Sequence, residues 1–168
     1  DPKPWAERCC SGWPDPGKQQ LGEIMNAQEL ADIEACRSLI VEFATRIDDG
    51  RAHTLGDLMT MDASFARPTV PDVVIEGRDA ILAAFSARPK HLISQHLNLN
   101  IRIRLTGADT AEGHSVVMLF LADANDELVT GKGRKTGAPI IGTWTDTFVR
   151  TADGWRFKDR RGMATLHG

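Results

Sequence analysis

The apolar positions of this chain change their period part-way along. From Asn26 the spacing is helical: Leu30, Ile33, Ala35, Ile40, Phe43, Ala44 and Ile47 form one stripe. It ends in Asp48-Asp49-Gly50-Arg51, where the glycine suits a helix terminus. A helical turn is predicted over 55–59, and short strands in "DASFARP" and "VVIEG" around Pro68 and Pro71. "GRDAILAAFSARP" reads as a compact helix closed by Pro89. Beyond it the period becomes two. Leu97, Leu99, Ile101 and Ile103 alternate with His96, Asn98, Asn100, Arg102 and Arg104, so residues 91–105 are predicted as a strand with one apolar and one polar face. That polar face is expected to begin in a cavity near His96 and Asn98 and to end in water at Arg102 and Arg104. Residues 110–122 are apolar on both faces at their C-terminal end, which calls for cover on both sides. A polar, glycine-rich loop, a strand over 140–151, a tight "ADG" turn and a last strand in "WRFKDRRGMATL" complete the pattern. Helices first and strands afterwards argue for an α+β fold, with helices on one face of an antiparallel meander.

The first 24 residues differ. They hold four prolines and three glycines and show neither period. Residues 1–24 are therefore expected to be a disordered or non-native upstream extension, with Met25 as the natural start and one domain over 25–168. A length of 168 residues suits one domain with a real core. The net charge of -3 gives no argument for nucleic acid or an anionic membrane as partner. No apolar run approaches the roughly 20 residues of a membrane span. Cys9, Cys10 and Cys36 lack disulfide or metal spacing and read as free thiols of a cytoplasmic protein. His91, His96 and His114 have no metal-site spacing either, so no metal is expected. "GKGRK" shares only its composition with a phosphate loop, and no cofactor is expected.

Five strings occur in fixed order: "DDGR" at the end of the first helix, G-R-D-A-I-x-x-x-F from Gly77, Q-H-L-N-L-N from Gln95, G-x-W-x-D-x-F-V-R from Gly142, and D-G-W-R-F-x-x-R from Asp153. Together they resemble the SnoaL-like group of the nuclear transport factor 2-like superfamily, over about Ala27 to Thr165. The resemblance implies a cone-shaped α+β barrel, a curved antiparallel sheet wrapped around N-terminal helices and enclosing a deep apolar pocket. It also implies a homodimer through the outer face of the sheet. The superfamily includes dehydratases, a dehydrochlorinase, isomerases, cyclases and non-catalytic transport domains, so fold alone does not settle function.

In the scytalone dehydratase and hexachlorocyclohexane dehydrochlorinase branch, the positions matching Asp48 and His96 form a dyad, with Asp49 the one-residue competitor here. A neutral imidazole is a usable base near neutral pH, and a carboxylate on its other nitrogen fixes the tautomer. Arg150 shares a strand face with Trp144, Asp146 and Phe148 and is a candidate to stabilise developing negative charge. Asp146 is a candidate single base, as in ketosteroid isomerases and SnoaL-type cyclases, if desolvation raises its pKa; its bland alternative is a salt bridge to Arg150 or Arg160. Asn98, Trp144, Phe148, Phe120 and Leu121 are the candidate substrate-binding residues, though such apolar residues are often simply core. The chain has no tyrosine, and Leu121 stands where scytalone dehydratase has a second pocket histidine. Scytalone dehydration itself is therefore not expected. The reading is a cofactor-free enzyme that removes a carbon-bound proton from an apolar cyclic or polyketide-like molecule, in a dehydratase, isomerase or cyclase reaction. The alternative is a non-catalytic binding or oligomerisation module.

Overall fold

The structure, a computed structural model, describes residues 25–167; the expectations for residues 1–24, Cys9 and Cys10 included, lie outside the described residues. In chain order the elements are α1 (Ala27–Asp48), a 3-10 helix (Ala52–Leu58), β1 (Met59–Ala66), β2 (Val74–Glu76), α2 (Arg78–Ser86), β3 (Leu92–Gly107), β4 (Thr110–Asp123), β5 (Ile140–Thr151) and β6 (Gly154–Leu166).

Helix α1 is fixed at both ends. Asn26 caps it in a reciprocal box: its side chain accepts from the Glu29 N–H at 3.0 Å, and Glu29 accepts from the Asn26 N–H at 2.8 Å. At the other end Gly50, with φ of 72°, makes the left-handed turn that closes the helix. The N–H groups of Gly50 and Arg51 then bond back to the carbonyls of Ile47 and Arg46. Cys36, Ile40, Phe43, Ala44 and Ile47 are buried as the stripe predicts. The stripe fails at its start: Leu30 is exposed and Asp32 is buried. The reason is polar. Trp155 Nε1 donates to Asp32 at 3.1 Å and Arg150 pairs with the same carboxylate, whose pKa falls to about 2 under the hydrogen bond from Arg150.

The sheet order is β2-β1-β6-β5-β4-β3, and it does not close. Strands β3 to β6 form the predicted antiparallel meander. The expectation of an all-antiparallel sheet needs correction, because β1 pairs with β6 in parallel. Only a long connection can join parallel neighbours, and here most of the domain lies between the two strands. The concave face holds an aromatic cluster: the Phe43 ring lies 6.0 Å from Phe65 and 5.7 Å from both Phe85 and Phe157. Cys36 is fully buried beside this core, and burial pushes its thiol up to about 12, so it is no nucleophile. No helix among the described residues is long and apolar enough to cross a membrane.

Strand β3 does not keep one polar face. Asn100 adopts φ of 51°, and the pairing with β4 shifts register between Leu99 and Arg102. This bulge exchanges the two faces. Before it, Ser94, His96 and Asn98 point inward while Ile93, Leu97 and Leu99 are exposed. After it, Ile101, Ile103 and Leu105 pack on the core, and Arg102 and Arg104 lie on the outside. The expected cavity-to-water course is thus achieved by two faces of the sheet. Asparagine tolerates the left-handed region better than branched residues do. Asn100→Val should therefore cost about 1–2 kcal/mol in denaturant unfolding, and Asn100→Gly should stay within a few tenths of the parent. Equal effects of the two would show that this φ is not needed.

Candidate active site

Asp48 is the last residue of α1. A carboxylate there meets the negative end of the helix dipole, so its stabilisation must come from elsewhere. It comes from β3. The His96 backbone N–H and the Ser94 hydroxyl each donate to Asp48 at 2.7 Å, and Gln95 Nε2 lies at 3.5 Å. His96 Nδ1 stands 2.6 Å from Oδ1 of the same carboxylate. Burial pushes the Asp48 carboxyl up, but the hydrogen bonds from the His96 ring, the His96 N–H and Ser94 outweigh it, so the net shift is downward. An ionised acceptor fixes the proton on Nδ1 and leaves the lone pair on Nε2. Asp49, the competing residue, is exposed and pairs with Arg51 at 2.9 Å.

His96 and Asn98 enter the wall of a cavity of about 390 Å³ inside the cone. Phe43, Phe65, Leu119, Leu121 and Trp144 supply apolar wall, and the volume suits a small organic molecule. A second cleft, of about 330 Å³, is lined by Asp48, Asp49 and Gln95 and again by His96 and Asn98. Among the described residues no group of three His, Cys, Asp or Glu converges as a metal site.

The remaining candidates separate. Asn98, Leu121 and Trp144 share the cavity with His96. Phe120 does not: Leu119 and Leu121 point inward, so the strand period turns Phe120 to the outer face, opposite Gln95. Phe148 is fully buried against Phe157, with ring centroids 4.9 Å apart, and forms core beyond the cavity wall. Arg150 also needs correction. It lies further along β5, over the Trp155 ring at 4.7 Å, pairs with Asp32 and Asp109, and takes no part in the cavity wall. Asp146 is completely buried, its carboxylate 3.2 Å from Arg160 Nη1, and among the described residues its Oδ1 has no hydrogen-bond partner. Burial pushes its carboxyl up to about 7 against the pull of Arg160. It lies behind the wall, whereas Arg160 is part of it.

Four residues of this region escaped the sequence reading: Ser94, Arg67, Arg88 and Arg160, the last taken only as a salt-bridge partner. Ser94 lies two before His96, so strand alternation places it on the same face. Arg67 and Arg88 each stand in an Ala-Arg-Pro triplet, 66–68 and 87–89, and a residue before proline is pushed out of helix into extended backbone. That repeat was the available signal.

The SnoaL-like domain family matches residues 28–161, most of the chain. The chain belongs to the SnoaL-like family. Solved structures similar to this SnoaL-like chain include a candidate scytalone dehydratase from Novosphingobium aromaticivorans, at 22% identity and a TM-score of 0.70, covering 84% of this chain and 89% of that one. A dehydratase candidate of the NTF2-like family from Streptomyces avermitilis is similar at 19% identity and a TM-score of 0.68, covering 82% of this chain and 99% of that one. A type 2 hexachlorocyclohexane dehydrochlorinase is similar at 17% identity and 0.67, covering 82% and 87%. At such identities the likeness of these structures to the SnoaL-like chain is one of fold. No functionally curated protein matches it.

Proposed function

We propose that this SnoaL-like protein is a cofactor-independent enzyme. It binds an apolar cyclic or polyketide-like molecule in the cavity and removes a carbon-bound proton with the His96–Asp48 dyad. The observation that carries this is one arrangement: the carboxylate 2.6 Å from Nδ1 leaves Nε2 as the basic nitrogen of a residue on the cavity wall. Neutral imidazole removes the proton, Asp48 stabilises the imidazolium that forms, and Asn98 orients a substrate oxygen. Elimination, isomerisation and cyclisation all begin with this step. The dehydratase candidates and the dehydrochlorinase among the similar structures support an enzyme of this fold.

The step can be read without the natural substrate. In heavy water the protein should accelerate deuterium entry at the acidic carbon of a bicyclic ketone such as tetralone, followed by NMR. Tight ketone binding with no acceleration would instead favour a non-catalytic binding module. A single-carboxylate isomerase or cyclase using Asp146 is the second catalytic reading, supported by its raised pKa. Loss of exchange in Asp146→Asn together with retention in His96→Ala would select it.

The protein is further proposed to be a cytoplasmic homodimer through the outer face of the sheet. Ile93, Leu97 and Leu99 are each about 40% exposed there, beside Met118 and Phe120. Leu97→Lys should halve the mass measured by light scattering, and a monomeric parent protein would end the idea.

A further inference from the structure

Among the described residues, the cavity wall contains Arg67, Arg88 and Arg160 and no aspartate or glutamate. For a largely apolar cavity this is an unbalanced set. Arg160 is buried, its guanidinium carbon 4.2 Å from the centroid of the Trp144 ring, 4.7 Å from that of Phe43 and 4.8 Å from that of Phe157. Among the described residues its guanidinium makes one hydrogen bond, to Asp146, although it has five donors. Arg67 is half-buried, donates to the Ala84 carbonyl at 3.0 Å and lies over the Phe85 ring. Arg88 is half-buried at the end of α2. Neither Arg67 nor Arg88 has a carboxylate partner within ion-pair distance among the described residues.

The two nearby carboxylates are committed elsewhere. Asp48 is occupied by His96 and Ser94, and Asp146 lies behind Arg160. Of the three arginines only Arg160 is paired, which leaves Arg67 and Arg88 facing the cavity without a carboxylate among the described residues. Burial pulls the Arg88 guanidinium below its ordinary range; Asp48 attracts it, and the repulsion of Arg67 adds to the downward pull. Arg67 and Arg88, half-buried and, among the described residues, without a carboxylate within ion-pair distance, are the cations left for an anionic ligand to pair.

We infer that the cavity takes an organic anion: a ring system bearing a carboxylate or another ionised oxygen, which Arg88, Arg67 and Arg160 receive while the apolar wall holds the rings. This rests on the cavity being the ligand site proposed above and narrows its substrate class.

Two probes of nearly equal shape separate the possibilities: naphthoate, an anion at neutral pH, and the uncharged naphthamide, titrated by calorimetry into the full chain. Naphthoate should bind at least about tenfold more tightly, and the difference should shrink as salt is raised. Arg88→Gln should weaken naphthoate by about tenfold and leave naphthamide within about twofold, which also shows that the variant is folded. Arg67→Gln should act in the same direction. Equal affinity for the two probes, or an Arg88→Gln effect equal on both, overturns the anion assignment and leaves the dyad standing. Binding of neither probe by the folded protein overturns the cavity as the ligand site as well.

Discussion

His96→Ala should abolish the deuterium exchange that the parent protein catalyses, lowering its rate about a hundredfold to ten-thousandfold, with the circular dichroism spectrum and unfolding midpoint little changed. The side chain is only part-buried and its ring sits at a cavity wall, so its removal leaves the core intact. Asp48→Asn should reach a similar loss by another route. An amide keeps the shape of the carboxylate but carries no charge. It no longer holds the proton on Nδ1 or stabilises the imidazolium. It also accepts fewer of the bonds from Ser94 and the His96 N–H, at a cost to stability of about 1–3 kcal/mol. The two single variants and the double variant should lose nearly the same activity, because the residues act as a unit. Multiplicative losses, or a parent-like rate in either single variant, would remove the dyad from the mechanism.

The largest effect on folding is expected at the buried pair. Asp146→Leu should destabilise the protein by about 3–5 kcal/mol, measured by urea unfolding, because it leaves Arg160 charged inside three aromatic rings with no counter-charge. The double variant Asp146→Leu with Arg160→Met should recover most of that loss. Two ions taken out of water are rarely repaid by one hydrogen bond at 3.2 Å, and a pair of apolar side chains of similar size fills the same space. The raised pKa of Asp146 points the same way, since burial outweighs the attraction of Arg160. If the double variant is as unstable as the single one, the pair is a net stabilising contact. The recovered variant should also bind naphthoate weakly, since Arg160 is then missing from the wall. Its stability and its affinity would thus part company, as expected if the pair is kept for the ligand.

Much of this was legible in the chain. The α1 stripe and Gly50 located the end of the helix, which narrowed the carboxylate to Asp48 or Asp49; the fold chose Asp48. The alternation of β3 put His96 and Asn98 on one face, and the ordered strings gave the family. Arg150 could not be placed. It shares a face with Trp144 and Asp146, but a strand of 12 residues is longer than the cavity is wide, and its far end meets Asp32 instead. Phe120 was misread because a strand apolar on both faces gives no sign of which residues point inward.

The sequence by itself determined what local periodicity encodes: where α1 stops, that His96 and Asn98 share a face of β3, and that helices precede a meander; the exchange of faces at Asn100 it did not show. The tertiary structure decided what depends on residues far apart in the chain. Asp48 and His96 are 48 positions apart, and only the packing of α1 on β3 brings them within 2.6 Å. Arg67, Arg88 and Arg160 come from a strand end, a helix end and the last strand, and only the packing of the helices on the curved sheet gathers them around one cavity. Hydrophobic burial drives that packing without regard to where the charges fall. The charge balance of the cavity, and with it the kind of ligand it suits, belongs to the fold.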